Sequence, residues 1–344
     1  MKDEFDTATS IFYLRHKLPT ELHIDLTAAC SERCVHCYLP EYPNCHLPYE
    51  LAEKALREFR EMQGLTVYLT GGECMLYPDF KRICRLCKGL NINMIVMSNM
   101  TRCDEEMVAF LREIDPQFIN VSLYSMNPEE HDAITRLKGS WRRTMDAVLT
   151  CEKAGVHVRI ATPLLKINRH AFGDLKKLAD DHHMHLVPDF GICAKCNQDK
   201  SNLEYACNAE ELEAALSEFK DIFDRGFDEA RQFSPDDRVC EVGDFRICLN
   251  SRGEYYPCDG MHGYVLGNVR DNTLEEVWRG EKLAKLKELR NRDFGKCISC
   301  EHRAFCKVCP AYNFNATGTL TETIPERCET ARVVHKVYGT RQNA

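Results

Sequence analysis

Six short runs rich in β-branched and aromatic residues alternate with helical stretches between about residues 21 and 190, and this alternation limits the fold more than any other feature of the chain. The predicted strands are residues 21–27, 65–70, 92–98, 118–124, 156–162 and 185–190. Strict alternation of strand and helix predicts a parallel sheet, either open or curled into a barrel or partial barrel. In such folds the chemistry lies at the carboxyl ends of the strands.

Length, composition and charge restrict the class of protein. A chain of 344 residues that is 44% hydrophobic is expected to fold rather than to be disordered or fibrous. A net charge of −8 argues against a nucleic-acid partner, because phosphate binding needs clustered Lys and Arg. We find neither a signal peptide nor a window of about twenty apolar residues, so we predict a cytoplasmic protein with no membrane partner.

The chain holds twenty cysteines, far above ordinary usage. Structural disulfides are rare in the reducing cytoplasm, so metal ligation is the leading explanation for most of them. Cys84, Cys87 and Cys151 lie on apolar helix faces and are expected to be core residues.

We predict five segments from shifts in composition. They are an N-terminal extension (1–20), an alternating strand and helix domain (21–192), a linker with an acidic connecting helix (193–235), a cysteine-rich domain (236–330) and a C-terminal tail (331–344). Within the fourth segment, residues 273–291 read as one charged helix.

Three cysteines, Cys30, Cys34 and Cys37, follow the first predicted strand in the spacing C-x-x-x-C-x-x-C. A closed structural zinc site needs four ligands, so three are too few for it. A four-iron cluster bound by three cysteines keeps one iron open for a small molecule. A zinc or redox fragment is the alternative for the triple alone.

This triple, with His36 before its third cysteine and the sequence TGGE at 70–73, resembles the signature of the radical S-adenosylmethionine (radical SAM) superfamily. The resemblance implies a partial (β/α)6 TIM-like barrel, a [4Fe-4S] cluster and bound S-adenosylmethionine. It also implies a 5′-deoxyadenosyl radical that abstracts hydrogen from a substrate. Gly71 and Gly72 would let the backbone approach the ligand closely, and Glu73 would accept a hydrogen bond from the ligand's ammonium group.

Further positions resemble ligand contacts of that family. Ser122 follows the fourth strand where the family contacts the ribose, and Arg136 resembles a basic residue near the ligand carboxylate. Asn99 stands where the family often has Thr-Asn-Gly. Capping of a strand end is the structural alternative for each.

The C-terminal cysteines form a second concentration. Twelve residues, Gly253 and four more residues separate Cys240 from Cys258, as in a hairpin that turns at glycine. The pattern C-x-x-C-x5-C-x-x-C follows, and then one more cysteine. Together they resemble the SPASM extension of radical SAM enzymes, which binds two auxiliary four-iron clusters. The ligands implied for one cluster are Cys297, Cys300, Cys306 and Cys328, and those for the other are Cys240, Cys258 and Cys309.

Two points stay open for these clusters. The second set has three cysteines, so a fourth ligand could come from Cys193, Cys196, Cys207 or Cys248, or the site could be open. Cys306 and Cys309 are separated by two residues where the resemblance leads us to expect three, and paired C-x-x-C motifs also suit a zinc ribbon.

The resemblance is strongest to maturases of ribosomally made peptides. It implies hydrogen abstraction from a precursor peptide or protein, ending in a crosslink, epimerisation, excision or oxidation. The expected partners are that substrate, a separate peptide-recognition protein and a flavodoxin or ferredoxin that donates electrons.

Two other functions are considered. One is an anaerobic sulfatase maturase that forms formylglycine, because Asp259 stands where those enzymes have a general base. A hairpin-end Asp that bonds to local backbone is the structural alternative for Asp259. The other function is a non-catalytic iron–sulfur carrier or scaffold.

Overall fold

A computed structural model describes residues 2–225 and 233–339. Its strands form one sheet in the order β6-β5-β4-β3-β2-β1-β7-β8-β9. Their bounds are β1 Glu21–Thr27, β2 Thr66–Gly71, β3 Asn93–Ser98, β4 Phe118–Ser122, β5 Val158–Pro163, β6 His185–Asp189, β7 Arg246–Leu249, β8 Glu254–Tyr256 and β9 Gly267–Asn268. The first six strands pair in parallel, which confirms the predicted α/β class and its partial barrel.

Helices connect the parallel strands and cover one side of the sheet. Their bounds are α1 Lys2–His16, α2 Tyr49–Glu61, α3 Phe80–Gly89, α4 Glu105–Ile114, α5 Pro128–Thr135, α6 Ser140–Lys153, α7 Phe172–Asp181, α8 Ala209–Glu218, α9 Lys220–Phe223, α10 Leu274–Trp278, α11 Glu281–Lys287, α12 Pro310–Thr317 and α13 Pro325–Tyr338. Polar caps fix several starts: the Asp104 side chain accepts from the Met107 amide at the start of α4, and Asn208 and Glu211 form a capping box at α8. No helix of the described residues is long and apolar enough to cross a membrane.

The two faces of β1 have different neighbours. Leu22, Ile24 and Leu26 are fully buried in the main hydrophobic core that the helices cover. His23 and Asp25 alternate with them and point to the inner face of the partial barrel, where both have polar partners. The candidate site is therefore built on the inner face.

The C-terminal region continues the same sheet. β7 pairs in parallel with β1, and β7, β8 and β9 then pair antiparallel. Gly253 turns the β7–β8 hairpin at a φ of +84°, which glycine adopts without strain. This pairing brings the cysteine-rich region beside the first cysteine loop.

The structure differs from the sequence-based expectations at two places in the C-terminal helices. The predicted helix over 273–291 is two helices, α10 and α11, because Gly280 takes an extended ψ of 156° between them. α13 continues across residue 331, where the C-terminal tail was expected to begin, and Val333, Val334 and Tyr338 pack with residues of α8. α8 and α9 lie in the predicted connecting segment, whose residues 226–232 are outside the described part, as are residues 340–344 of the tail.

Candidate active site

The loop after β1 brings three sulfur atoms together. Burial raises the pKa of the Cys30 thiol to about 12 and that of Cys34 well above its usual value, and the nearby Cys37 thiolate raises both further. The Val35 amide donates to the Ile134 carbonyl, which holds the loop against α5. Three soft thiolate donors on one short loop fit an iron–sulfur cluster with an open iron.

Gly71 and Gly72 allow the end of β2 to pack closely against the start of this loop. A Cβ at Gly71 would lie 2.3 Å from the Thr27 carbonyl oxygen, and one at Gly72 would lie 2.3 Å from that of Ala29. The Gly72 amide donates to Thr27 O at 2.8 Å. Contact with the protein's own backbone is therefore sufficient to explain both glycines, whereas the sequence analysis attributed them to a ligand.

Glu73 is buried between two strand ends. Its carboxylate accepts from the amides of Met75 (3.0 Å) and Asn99 (2.8 Å) and from Ser98 Oγ (2.8 Å). Burial raises its pKa although these donors oppose the shift. Asn99 Nδ2 also reaches Ser31 Oγ at 3.2 Å, which links Glu73 to the cysteine loop. The cysteine spacing did not single out Ser31, because Ser31 occupies one of the unspecified positions between Cys30 and Cys34.

Three other predicted ligand contacts surround the loop. His36 is half-buried, with its ring edge-to-face against Tyr124 at 5.0 Å, and desolvation lowers its pKa to about 4, so the ring is neutral. Arg136 lines a cleft with Cys34 and Cys37, and its Nη2 donates to the Tyr205 hydroxyl at 3.0 Å. Ser122 ends β4 on the inner face and is half-buried.

A second cysteine group lies beside the hairpin. Burial raises the pKa of Cys258 to about 12, and the neighbouring Asp259, Cys309 and Cys240 raise it further. Cys193 joins this group: burial and then the Cys309 thiolate raise its pKa to about 11. The Asn315 amide fixes the arrangement, because Nδ2 donates to the carbonyls of Gly260 (2.8 Å) and Ala194 (3.3 Å).

The other three possible fourth ligands have further neighbours outside this group, although Cys248 also lies near Cys258 and Cys196 near Cys193. The thiol of Cys207 interacts electrostatically with Glu211, Arg169 and Lys166. Cys248 donates to Asp259 Oδ1 at 3.5 Å, and Cys196 faces Asp25 and Cys37.

The third group consists of Cys297, Cys300, Cys306 and Cys328. Burial raises the pKa of Cys297, and the thiolates of Cys328 and Cys300 raise it further. Burial also raises the pKa of Cys306, and the thiolates of Cys297 and Cys328 raise it further. Cys300 is exposed, so this group lies at the protein surface.

Asp259 is held by two cationic partners. His23 Nδ1 lies 2.6 Å from its Oδ1, and Arg246 Nη1 donates to Oδ2 at 2.7 Å. Burial opposes ionisation, but these partners hold the pKa of Asp259 well below its usual range. His23, Cys248 and Asp259 are close enough to hold a metal ion, yet the Arg246 charge already balances the carboxylate. A carboxylate with so low a pKa is a weak general base.

The ion pair predicts a pH-dependent stability. Burial lowers the pKa of His23, but Asp259 outweighs burial and raises it, so the stabilisation is complete below the unfolded-state pKa of His and is lost as pH rises through the folded pKa. We expect Asp259→Asn to lower the free energy of unfolding by about 2 kcal/mol near about pH 6, with a smaller loss at higher pH. Anaerobic denaturant unfolding at a series of pH values measures this.

Asp244→Asn is the matched control for that experiment. Asp244 is buried and paired with Arg238 and Lys287, with no histidine in the pair. Its loss should shift stability equally across the same pH range. Parallel curves for Asp259→Asn and the wild type would show that His23 does not titrate against Asp259.

A cavity of about 80 Å³ lies where these elements meet. The ends of β1 and β2 form one wall, through Asp25, Thr27 and the two glycines, and the hairpin and Cys196 form another. The residues that line it and can ionise are Asp25, Glu41, Cys196, Arg252 and His262. A substrate placed here would touch Ala28 and Leu39, which flank the three cysteines in sequence, and the C-terminal hairpin.

Comparison with known proteins identifies the two halves of this site. Residues 24–179 match the family model of the radical SAM superfamily. Residues 240–310 match that of SPASM, an iron–sulfur cluster-binding domain. This chain is a radical SAM enzyme with a SPASM domain. Its cofactors are therefore [4Fe-4S] clusters and S-adenosylmethionine, which the three sulfur groups fit.

Curated relatives of this radical SAM enzyme have diverse substrates. An AdoMet-dependent heme synthase of Oleidesulfovibrio alaskensis is 25% identical in an alignment 335 residues long, which covers 86% of this chain and 83% of that protein. The antilisterial bacteriocin subtilosin biosynthesis protein AlbA of Bacillus subtilis is 24% identical in an alignment 322 residues long, which covers 88% of this chain and 70% of AlbA. The relatives therefore share the enzyme class and differ in what their names say they make.

Solved radical SAM structures share the fold. Native anSMEcpe with bound AdoMet and Cp18Cys peptide superposes with a TM-score of 0.74 at 18% identity, over 94% of this chain and 98% of that one. Streptococcus suis SuiB bound to its precursor peptide SuiA superposes with a TM-score of 0.70 at 16% identity, over 94% and 80%. At such identities the likeness is one of fold.

Proposed function

We propose that this radical SAM enzyme abstracts a hydrogen atom from a residue of a precursor peptide and oxidises that residue. AlbA and the mycofactocin maturase MftC of Mycobacterium ulcerans are relatives named for peptide products or maturation, which supports this proposal.

The charge of the cavity is the main observation that supports a peptide substrate. Asp25 and Glu41 line the cavity, and Arg252, the one guanidinium among its described lining residues, already pairs with Glu254 at 3.2 Å. Such a lining favours a neutral or basic peptide segment over a polyanion, because an unpaired substrate carboxylate would face like charge in a partly desolvated site.

The residues divide the work as follows. Cys30, Cys34 and Cys37 would hold the radical cluster, and Glu73, Asn99, Ser122, Arg136 and the ring of His36 would orient S-adenosylmethionine. When bound, the cluster and S-adenosylmethionine supply a 5′-deoxyadenosyl radical. Ser98 and Asn99 hold the Glu73 carboxylate in place.

Two auxiliary clusters would accept the electron that substrate oxidation releases. The surface group would hold one of them. Cys240, Cys258, Cys309 and Cys193 would hold the other, which gives that cluster a complete set of four thiolates.

Cys193→Ala tests this fourth ligand. We expect it to change the paramagnetic resonance signal of one auxiliary cluster and to lower the iron content by up to about four atoms per chain. Cys207→Ala, a half-buried thiol outside every group, is the control and should keep the wild-type iron content and signal. A wild-type signal in Cys193→Ala would mean that this cluster has an open iron.

A tetrapyrrole is the second candidate substrate, because the heme synthase relative matches 86% of this chain. The cavity charge argues against it, since the propionate groups of such molecules are anionic. The sulfatase-maturase alternative depends on Asp259 as a base, and the ion pairs of Asp259 weaken that assignment. The carrier alternative does not fit a radical SAM enzyme.

The proposed function is tested by mass spectrometry after anaerobic incubation with reductant and S-adenosylmethionine. One reaction receives synthetic precursor peptides from genes beside this one, and the other receives iron coproporphyrin III. We expect a peptide that has lost hydrogen and an unchanged porphyrin. Conversion of the porphyrin alone would overturn the proposal. The recognition protein, the flavodoxin or ferredoxin donor and the cytoplasmic location stay predictions.

A further inference from the structure

Three side chains distant in sequence meet at the wall of the cavity. Tyr256 donates its hydroxyl to Asp25 Oδ2 at 2.8 Å, and His262 Nε2 lies 3.1 Å from the same oxygen. The rings of Tyr256 and His262 pack at 4.3 Å, and Tyr38 covers His262 from the other side at 4.8 Å. All three residues of this cluster, Asp25, Tyr256 and His262, are buried.

The two oxygens of Asp25 have different surroundings. Oδ2 accepts from both partners, whereas no group in the described part of the chain donates to Oδ1. Asp25 lies in the wall of the cavity beside Thr27, Gly71 and Gly72, on the same strand that leads to Cys30. A buried carboxylate with one anchored and one free oxygen is suited to accept a proton.

Asp259, unlike Asp25, has no free carboxylate oxygen and is poorly suited to accept a proton. Both of its oxygens have donors: Oδ1 faces His23 and Cys248, and Oδ2 faces Arg246. The guanidinium charge also stabilises its ionised form, which disfavours proton uptake.

His262 has a further feature that a purely structural contact does not explain. Its Nδ1 is buried and has no hydrogen-bond partner among the described residues. We assign the proton to Nε2, where it can be donated to Asp25, so Nδ1 retains a bare lone pair. Unpaired buried polar atoms are costly and occur more often at functional sites than elsewhere.

We propose that Asp25 is the catalytic base of substrate oxidation, and that Tyr256 and His262 are positioning residues that leave Oδ1 free for the substrate. This inference rests on the proposed function. Bound S-adenosylmethionine would supply a 5′-deoxyadenosyl radical, to which a substrate carbon would lose a hydrogen atom. A neighbouring X–H group of the peptide, where X is sulfur, oxygen or nitrogen, forms the new C–X bond.

The atoms and electrons of this oxidation balance. The X–H bond breaks, its proton passes to Asp25 Oδ1, and one electron passes to an oxidised auxiliary [4Fe-4S] cluster. The substrate has then lost two hydrogens in all: one as an atom to the deoxyadenosyl carbon, the other as a proton and an electron. No further oxidant is needed.

Asp25→Asn tests the proposal, with Asp259→Asn measured beside it. Both enzymes are assayed with S-adenosylmethionine, reductant and the peptide that the wild type modifies, and product is divided by 5′-deoxyadenosine formed. We expect the ratio to fall about 100-fold or more in Asp25→Asn. We expect it to stay within about threefold of the wild type in Asp259→Asn, which loses an ion pair rather than the base.

Two measurements separate this role from a structural one. Iron content and the dissociation constant for the peptide should stay within about threefold of the wild type in Asp25→Asn, because proton acceptance is mainly a transition-state effect. Tyr256→Phe and His262→Gln retain the carboxylate but not its orientation. Each should lower kcat by about tenfold with little change in KM, and Asp25→Glu should regain part of the lost ratio.

The outcomes are distinguishable. An unchanged ratio in Asp25→Asn would overturn the proposal, as would a loss confined to Asp259→Asn. If Asp25→Asn does not fold, full kcat in both Tyr256→Phe and His262→Gln would overturn it instead. A wild type that modifies no peptide would refute the proposed function, and this assignment with it.

Discussion

Replacing Cys34 with alanine is expected to abolish cleavage of S-adenosylmethionine. Cys34 is one of three thiols on the loop after β1, and it is half-buried beside Glu32 and Tyr124. Two thiolates are too few to hold the radical cluster, and no other cysteine of the C-x-x-x-C-x-x-C motif can replace the missing ligand. The variant should lose about four iron atoms per chain, and 5′-deoxyadenosine formation should fall about 1000-fold or more.

Cys84→Ala is the matched control for that variant. Cys84 is fully buried in the core on α3, outside all three sulfur groups, so its loss should cost about 1 kcal/mol of stability and no iron. Iron analysis and chromatography of 5′-deoxyadenosine measure the difference between Cys34→Ala and Cys84→Ala. Wild-type cleavage in Cys34→Ala would show that the loop does not hold the radical cluster.

Replacing Cys300 with alanine is expected to separate the two halves of the reaction. Cys300 belongs to the surface group with Cys297 and Cys328, away from the loop that holds Cys34. S-adenosylmethionine should still be cleaved, but the substrate radical would have no complete electron path, and product should fall about 100-fold. The measurement is 5′-deoxyadenosine and modified peptide in the same reaction mixture.

Cys207→Ala again serves as the control, because it removes an unassigned thiol. It should leave product and cleavage coupled as in the wild type. Full product formation by Cys300→Ala would show that the surface cluster is not needed for substrate oxidation.

Local patterns in the sequence predicted most of the scaffold. The six parallel strands lie within two residues of their predicted bounds, because buried parallel strands are continuous apolar runs bounded by turn residues. The cysteine triple and the residues of TGGE are likewise close in sequence to the strand ends that position them. The single predicted helix over 273–291 was wrong because periodicity alone does not register the break at Gly280.

The sequence did not predict how distant segments assemble at the inner face. Asp25 and Tyr256 are separated by 231 residues, and the pairing of β7 with β1 brings them together. That long-range pairing also places His23 and Arg246 on Asp259, so the residue chosen as a base from its position next to Cys258 has the surroundings of a structural ion pair. Cys193 reaches the hairpin cysteines through the Asn315 contacts, which no spacing rule reveals.

Transfer of a label from the peptide to 5′-deoxyadenosine tests the central claim most directly. The enzyme would be incubated anaerobically with reductant, S-adenosylmethionine and a precursor peptide deuterated at carbon, and the 5′-deoxyadenosine analysed by mass spectrometry. Hydrogen abstraction from the peptide predicts 5′-deoxyadenosine that contains deuterium, together with a modified peptide. Unlabelled 5′-deoxyadenosine and an unchanged peptide would contradict it.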